Sequence, residues 1–419
     1  MKIKLITFIL IIISLASCLF GCNDINGDKD IDSDKDIDSD KTQLAYTAKT
    51  VATQNYFNTN SKLELYDDFS LSEKELKFDQ TWIKVKEILK QVEDNISLAY
   101  STSDIARYNA LSYGQSVEIS KLTADILEIA KKAYKDTDGA YNPTVYPLVD
   151  LWGFTPRFTN NAQFIKVEEY DRANREAYST TLPKQEYIDG FCKLTDFDNA
   201  IVSQNNNVYT LTKNSKDVTI NGKTYSQKLD LGGIGKGYAC DLVTQLLQKE
   251  GYKYGYFSCG SSSIAILSNF DKKTHKATDY KVGFTAPRNN DLLSSSYANI
   301  KTSNKALSSS GDYEHKYIIN GFNYCHIINP ANGMPINSPN GAVQQGIALV
   351  SVLAQNNAYC DCLTTALCVM GIDKAKEFLS KTDYEYSIVT YNSQEETYQV
   401  HSNIDNLNLV DSDYKKVEE

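Results

Sequence analysis

Leu229-Asp230-Leu231-Gly232-Gly233-Ile234-Gly235-Lys236-Gly237-Tyr238-Ala239-Cys240-Asp241 sets four glycines, one lysine and two aspartates within thirteen residues. Glycine allows close backbone approach to a ligand and turns that a side chain would block. Amide groups at a turn that opens a helix can hold phosphate oxygens, and Lys236 stands inside that turn as a cation for the same anion. A phosphorylated ligand is one reading; a glycine-rich loop carrying a lysine by chance is the other. The stretch is neither of the common phosphate motifs: Gly-x-Gly-x-x-Gly is not formed, and Lys236 is followed by Gly237 and Tyr238 rather than Ser or Thr.

Asp361 and Thr365 stand four apart, which stacks them on one face of a helix. A carboxylate and a hydroxyl on one face suit a hard cation such as Mg²⁺, completed by water and substrate phosphates. The same spacing also serves a surface pair or a near-cap hydrogen bond. The run from Gly139 to Phe154, GAYNPTVYPLVDLWGF, is dense in prolines and aromatics. It could cover a flat ligand, or it could be a buried connection around a core tryptophan. His326 is one of four histidines and precedes the turn Asn329-Pro330-Ala331-Asn332-Gly333. Histidine moves protons near neutral pH, although a lone histidine is more often structural.

The elements that position these residues can be read from periodicity. Apolar residues at helical spacing predict helices over 79–99 and 117–134. A helix over 357–370 carries Asp361 and Thr365, with Gly371 placed to stop it, and a further helix covers 373–379. Strands are predicted at 208–211, 254–257, 264–267, 317–319 and 346–353, with a closing hairpin from 386–391 and 397–401. Residues 155–190 read as a polar surface excursion. Helices and strands mix without a regular βαβ alternation, so the expected class is α+β with a largely antiparallel sheet.

The chain has 419 residues and a formal charge of −10, with no basic stripe, which argues against a nucleic-acid partner. Lys2 and Lys4 precede an apolar run from Leu5 to Leu15, too short for a comfortable membrane span and fitting a signal peptide. The run ends in Leu15-Ala16-Ser17-Cys18 and Leu19-Phe20-Gly21-Cys22, both of the bacterial lipobox type. Cys18 is the preferred lipidation site and Cys22 the alternative. Residues 1–17 are thus a lipoprotein signal peptide and 18–44 an acidic tether. From Asp24 to Lys41 eight aspartates outnumber three lysines, and the negative excess repels itself and keeps the segment extended. Residues 45–419 are the globular part. Seven cysteines remain beyond Cys22 without framework spacing, which reads as buried free thiols.

The four dense stretches, GAYNPTVYPLVDLWGF, LDLGGIGKGYACD, SSGDYE with HIINPANGMP, and DCLTTALCVMG, occur together and in order. With them the chain resembles the ApbE-type flavin transferase family, lipoproteins that attach FMN from FAD to other proteins. The resemblance runs from about Trp82 to the C-terminus and implies an ApbE-like, T-fold-related catalytic region. It implies that Asp230 and Lys236 contact FAD, together with Ala140, Tyr141 and Asn142, and that Tyr100 covers the cofactor. It implies Mg²⁺ bound by the Gly233 carbonyl, Asp361 and Thr365, and it makes His326 the acid–base group. Asn142 and Asn329 stand where the family often has Asp, Cys259-Gly260-Ser261 replaces a Gly-Gly-Asp/Asn strand end, and the family's N-terminal Gly-Thr strand is not recognisable.

The implied reaction moves FMN from FAD to a Ser/Thr hydroxyl of an acceptor protein and releases AMP. The acceptor would be a membrane electron-transport subunit or a secreted flavoprotein, and the enzyme would be lipid-anchored on the extracytoplasmic face of the cell membrane. Two alternatives stand beside it: an FAD pyrophosphatase giving FMN and AMP, and a non-catalytic lipoprotein that binds flavin or another solute.

Overall fold

The computed structural model describes residues 46–155, 164–171, 176–288, 296–313, 315–338, 346–392 and 395–418. The signal peptide, the tether, Cys18 and Cys22 lie outside them. The scaffold is a nine-stranded sheet in the spatial order Thr47–Tyr56, Thr59–Asp67, Gly255–Cys259, Ser263–Ile266, Lys305–Gly311, Ile347–Ala354, Glu385–Asn392, Thr397–Ser402 and Tyr414–Lys416. Every neighbouring pair is antiparallel except the last.

Side chains alternate across a strand, and Ile347–Ala354 shows why this strand is apolar at every position but Ser351. Val350 and Val352 enter a core shared with helices, whereas Leu349 and Leu353 enter a second core with Phe284 and Tyr297 on the opposite face. Eight α-helices occur among the described residues: α1 Ser72–Ile96, α2 Asp104–Asn109, α3 Lys121–Asp136, α4 Tyr146–Leu151, α5 Gln185–Cys192, α6 Gly232–Lys249, α7 Asn357–Met370 and α8 Ile372–Leu379. None of them is long and apolar enough to cross a membrane. Buried residues of α1, α3, α6 and α7 fill the first core.

The α+β expectation holds, and the predicted 357–370 helix coincides with α7, stopped by Gly371 at φ 77°. Two expectations change. The predicted 117–134 helix begins only at Lys121: Ser116–Ile119 pairs as a strand with Tyr209–Thr212, and the Ser120 hydroxyl accepts the Thr123 amide at 3.1 Å to start α3. The described residues of 155–190 do not form a surface excursion throughout. Phe164, Ile165, Ala177, Tyr187 and Ile188 are buried in a third core around Trp152, where Glu176–Ser179 pairs in parallel with Lys316–Ile319. Aromatic edge contacts such as Phe164 on Tyr187 replace the aliphatic periodicity that would have signalled burial.

Candidate active site

The glycine motif folds as the start of α6 and packs directly on α7. Gly237 is required by this packing: a Cβ there would lie 2.4 Å from the Asn357 carbonyl oxygen. The backbone is non-helical at Gly233, with φ −84° and ψ 15°. An unbroken helix aims the N–H of residue 237 at the carbonyl of residue 233. Here the Gly237 N–H has a partner outside its own helix, donating to Asp361 Oδ2 at 3.1 Å.

Asp361 is 3% exposed, so the surface-pair reading of Asp361 and Thr365 fails. The Thr365 Oγ lies 3.7 Å from where a Gly233 Cβ would sit and 3.4 Å from the Asp361 carbonyl oxygen. Gly233, Asp361 and Thr365 line one cleft, and their carbonyl, carboxylate and hydroxyl are oxygen donors of the kind a hard divalent cation selects. Among the described residues no group of three or more His, Cys, Asp or Glu could hold a metal, so this set depends on its neutral oxygens and on ligand oxygens to complete a shell. Ser310, not singled out by sequence, sits beside it, 2.8 Å from Thr364 Oγ1 and 3.4 Å from Thr365 Oγ1.

These groups open into one cleft of about 980 Å³, lined also by Ala140, Tyr141, Asn142, Asp230, Lys236 and His326. Asp230 accepts the Gly232 amide at 2.7 Å, and the Lys236 ammonium donates to the Gly232 carbonyl at 3.3 Å. Burial pushes the Asp361 and Asp230 carboxyls upward, opposed in both by the Lys236 charge and a backbone amide. One lysine thus offsets two crowded carboxylates, an arrangement that an anionic ligand and a cation together would relieve.

His326 follows the strand Phe322–Cys325, and its amide donates to the His315 carbonyl at 3.0 Å. Burial, with Lys236 adding to it, lowers its imidazole to about 4, while the His315 backbone and Asp312 pull the other way. Its Nδ1 is buried without a hydrogen-bond partner among the described residues. The His315 ring also lines the cleft, edge-on at 5.5 Å between centroids; sequence reasoning had passed over it.

Some expected contacts take a different form. Tyr141 is 3% exposed and braces Gly233 from beneath, its ring 3.6 Å from the would-be Cβ. The Asn142 side chain is occupied by the fold, accepting the Thr144 amide at 2.9 Å and donating to the Thr195 carbonyl at 2.6 Å. Asn329 likewise caps its own turn through the Ala331 amide at 2.9 Å. Trp152 is fully buried and donates to the Gly333 carbonyl at 2.8 Å, so it latches the His326 turn and covers no ligand.

Tyr100 lies 44% exposed between α1 and α2 and is not among the residues lining this cleft. Among the aromatics that do line it is Phe57, at the two-residue turn between the first two strands. Phe57 and Asn58 both have positive φ, 52° and 50°, as a type I′ hairpin turn demands. Alternating strands flanking Phe57-Asn58 are the sequence signal for it. The seven described cysteines are all free, as expected, and six are buried.

A model of the ApbE family matches residues 57–389. The chain belongs to the ApbE family. Among its relatives, the FAD:protein FMN transferase of Haemophilus influenzae is 27% identical over 306 residues, 73% of this chain and 77% of that protein. The FAD:protein FMN transferase of Escherichia coli K12 is 25% identical over 307 residues, 73% and 76% of the two chains. The solved flavinyl transferase ApbE of Pseudomonas stutzeri superposes with a TM-score of 0.64 at 22% identity, covering 87% of this ApbE-family chain and 96% of the other. The flavin transferase ApbE of Vibrio cholerae gives 0.63 at 20% identity, covering 85% and 97%. At that identity the structural likeness establishes the shared α+β fold.

Proposed function

We propose that this chain is a Mg²⁺-dependent FAD:protein FMN transferase that moves FMN from FAD to a Ser or Thr hydroxyl of an acceptor protein and releases AMP. The observation that carries it is that Gly233, Asp361 and Thr365 line one cleft together with Lys236 and His326. The printed activity of the relatives, FAD:protein FMN transferase, supports the same reading.

Asp361, Thr365 and the Gly233 carbonyl would hold Mg²⁺, which supplies a Lewis acid to the pyrophosphate and offsets charge on the departing AMP. Lys236 adds a fixed cation for the same phosphates. Asp230, Ala140 and Asn142 form the wall against which the nucleotide is oriented. His326, neutral above its lowered pKa, accepts the proton of the acceptor hydroxyl as its oxygen bonds to the FMN-side phosphorus and the bond to AMP breaks. A protein that only bound flavin would have no use for oxygen donors of this kind beside the pyrophosphate. The leader and the Cys18 motif (or that of Cys22) support a lipid anchor on the extracytoplasmic face of the cell membrane, where a membrane electron-transport subunit or secreted flavoprotein would be met.

The deciding experiment incubates the protein with FAD, Mg²⁺ and a flavin-free acceptor domain, then measures acceptor mass and AMP. An acceptor heavier by one FMN with matching AMP is expected. AMP without the adduct would indicate a pyrophosphatase, and FAD binding without AMP would sink both catalytic readings.

A further inference from the structure

A second cleft, also of about 980 Å³, meets the first at Ala140, Asn142, Pro330 and Val369, which line both. Its wall includes Asn329 and Ala331, three and five residues beyond His326. The two clefts therefore adjoin across residues next to the turn that carries the acid–base candidate. The first cleft is itself at the upper end of small-molecule sites, so a dinucleotide does not need the second.

The chemistry of the second cleft differs from that of the first. Three lysines are balanced by three carboxylates: Lys132, Lys374 and Lys381 against Asp136, Asp138 and Glu377. Lys132 pairs with Asp136 and Lys381 with Glu377 on solvent-exposed rims, and Lys374 makes no ion pair among the described residues. Such a wall has no excess positive charge to hold a pyrophosphate. Its apolar surface is aromatic, with Phe378, Tyr359 and Tyr384 beneath the charged rim. Aromatic interior and polar rim are the make-up of a protein-recognition surface.

We infer that this second cleft receives the acceptor protein as an extended polypeptide segment, delivering its hydroxyl past Pro330 to the FAD phosphorus. The inference rests on the transferase reading. A protein substrate must reach the phosphorus while FAD occupies the first cleft, and the shared wall supplies that approach from the side of His326.

The test uses the full-length protein in detergent, with the flavin-free extracytoplasmic domain of a membrane electron-transport subunit as acceptor. Phe378→Ala removes the aromatic floor, and Lys374→Glu changes an exposed side chain without disturbing the core. Each should raise the acceptor KM about tenfold, as loss of an interface anchor does. kcat at saturating acceptor, FAD affinity and AMP release without acceptor should stay at the wild-type level. An unchanged acceptor KM in both variants overturns the inference, as does a matching loss of FAD affinity, which would return the cleft to the nucleotide. Failure of the wild-type protein to form any adduct would instead sink the transferase reading, and this inference with it.

Discussion

The amide of Gly237 donates to the carboxylate of Asp361 across 3.1 Å, binding the glycine motif to α7 at the residue that anchors the oxygen cluster. The bond does two things at once. It satisfies one oxygen of a buried carboxylate, and it gives the Gly237 amide a partner on the neighbouring helix.

Gly237→Ala tests that contact. Alanine in a helix gains about 1 kcal/mol over glycine. Against this, the new Cβ would meet three backbone atoms, the Asn357 oxygen and carbon at 2.4 and 2.7 Å and the Ala358 Cα at 2.9 Å. Backbone cannot rotate away, so overpacking of about 1–3 kcal/mol wins. A lower melting temperature and a weaker response of AMP release to Mg²⁺ are expected; an unchanged Mg²⁺ titration would show that the two helices tolerate separation.

Asp241 closes the same motif and acts one turn further along. Its carboxylate accepts the Asn357 and Ala358 amides at 2.7 and 2.9 Å, capping α7 from outside the helix. Asp241→Ala leaves both donors without an acceptor and should destabilise the fold by about 1–2 kcal/mol. Because α7 carries Asp361 and Thr365, the Mg²⁺ concentration needed for half-maximal AMP release should rise as well. Thermal unfolding alone would move if Asp241 served only stability.

Asp361→Ala should reduce Mg²⁺-dependent AMP release by at least about a hundredfold, the scale on which removal of one preorganised electrostatic group acts. The metal assignment fails if turnover and its Mg²⁺ dependence persist. With a single carboxylate in the set, Mg²⁺ should bind the FAD complex much more tightly than the free protein, which calorimetry with and without FAD can measure.

The pH profile follows from His326. Its folded pKa is lowered from 6.5 to about 4, so the imidazole is neutral and able to accept a proton at every pH above that value. The acid limb of kcat/KM, which reports the free enzyme, should therefore fall near pH 4 rather than near 6.5. The sign for stability is the same: between those values the unfolded chain binds the proton and the folded one does not, so this residue's contribution is lost as pH falls through the window. His326→Ala should lower turnover by about 10²-fold. Full retained rate would reject the acid–base role and leave the fold untouched.

The sequence carried the chemistry more clearly than the framework. Asp361 and Thr365 were legible because helical spacing places them together without tertiary information, and the glycine motif because its composition is rare. What spacing could not reveal was burial: Asp361 looked equally suited to a surface until the packing of α6 on α7 enclosed it. Trp152 was ambiguous for the same reason, since only the fold brings the Gly333 carbonyl to its indole N–H. The described part of 155–190 was hard to read because its buried residues, aromatic and aliphatic alike, fall at irregular spacing.

Phe57 supplies the last test. A bulky side chain at φ 52° is strained, by roughly 1–2 kcal/mol, and the Glu93 carboxylate holds its amide at 2.9 Å. Its ring lies 3.7 Å from the would-be Cβ of Gly235, between the hairpin and the glycine motif. Strain of this kind persists where function selects for it. Phe57→Gly relieves the backbone and removes the ring, so stability and binding should move in opposite directions. Thermal stability should hold or rise, while FAD affinity, read from flavin fluorescence, should fall about three- to tenfold for a lost aromatic contact. Tyr100→Ala, away from the cleft, should leave FAD affinity unchanged. If Tyr100→Ala weakened FAD instead and Phe57→Gly only destabilised the fold, the aromatic cover would belong to Tyr100 after all.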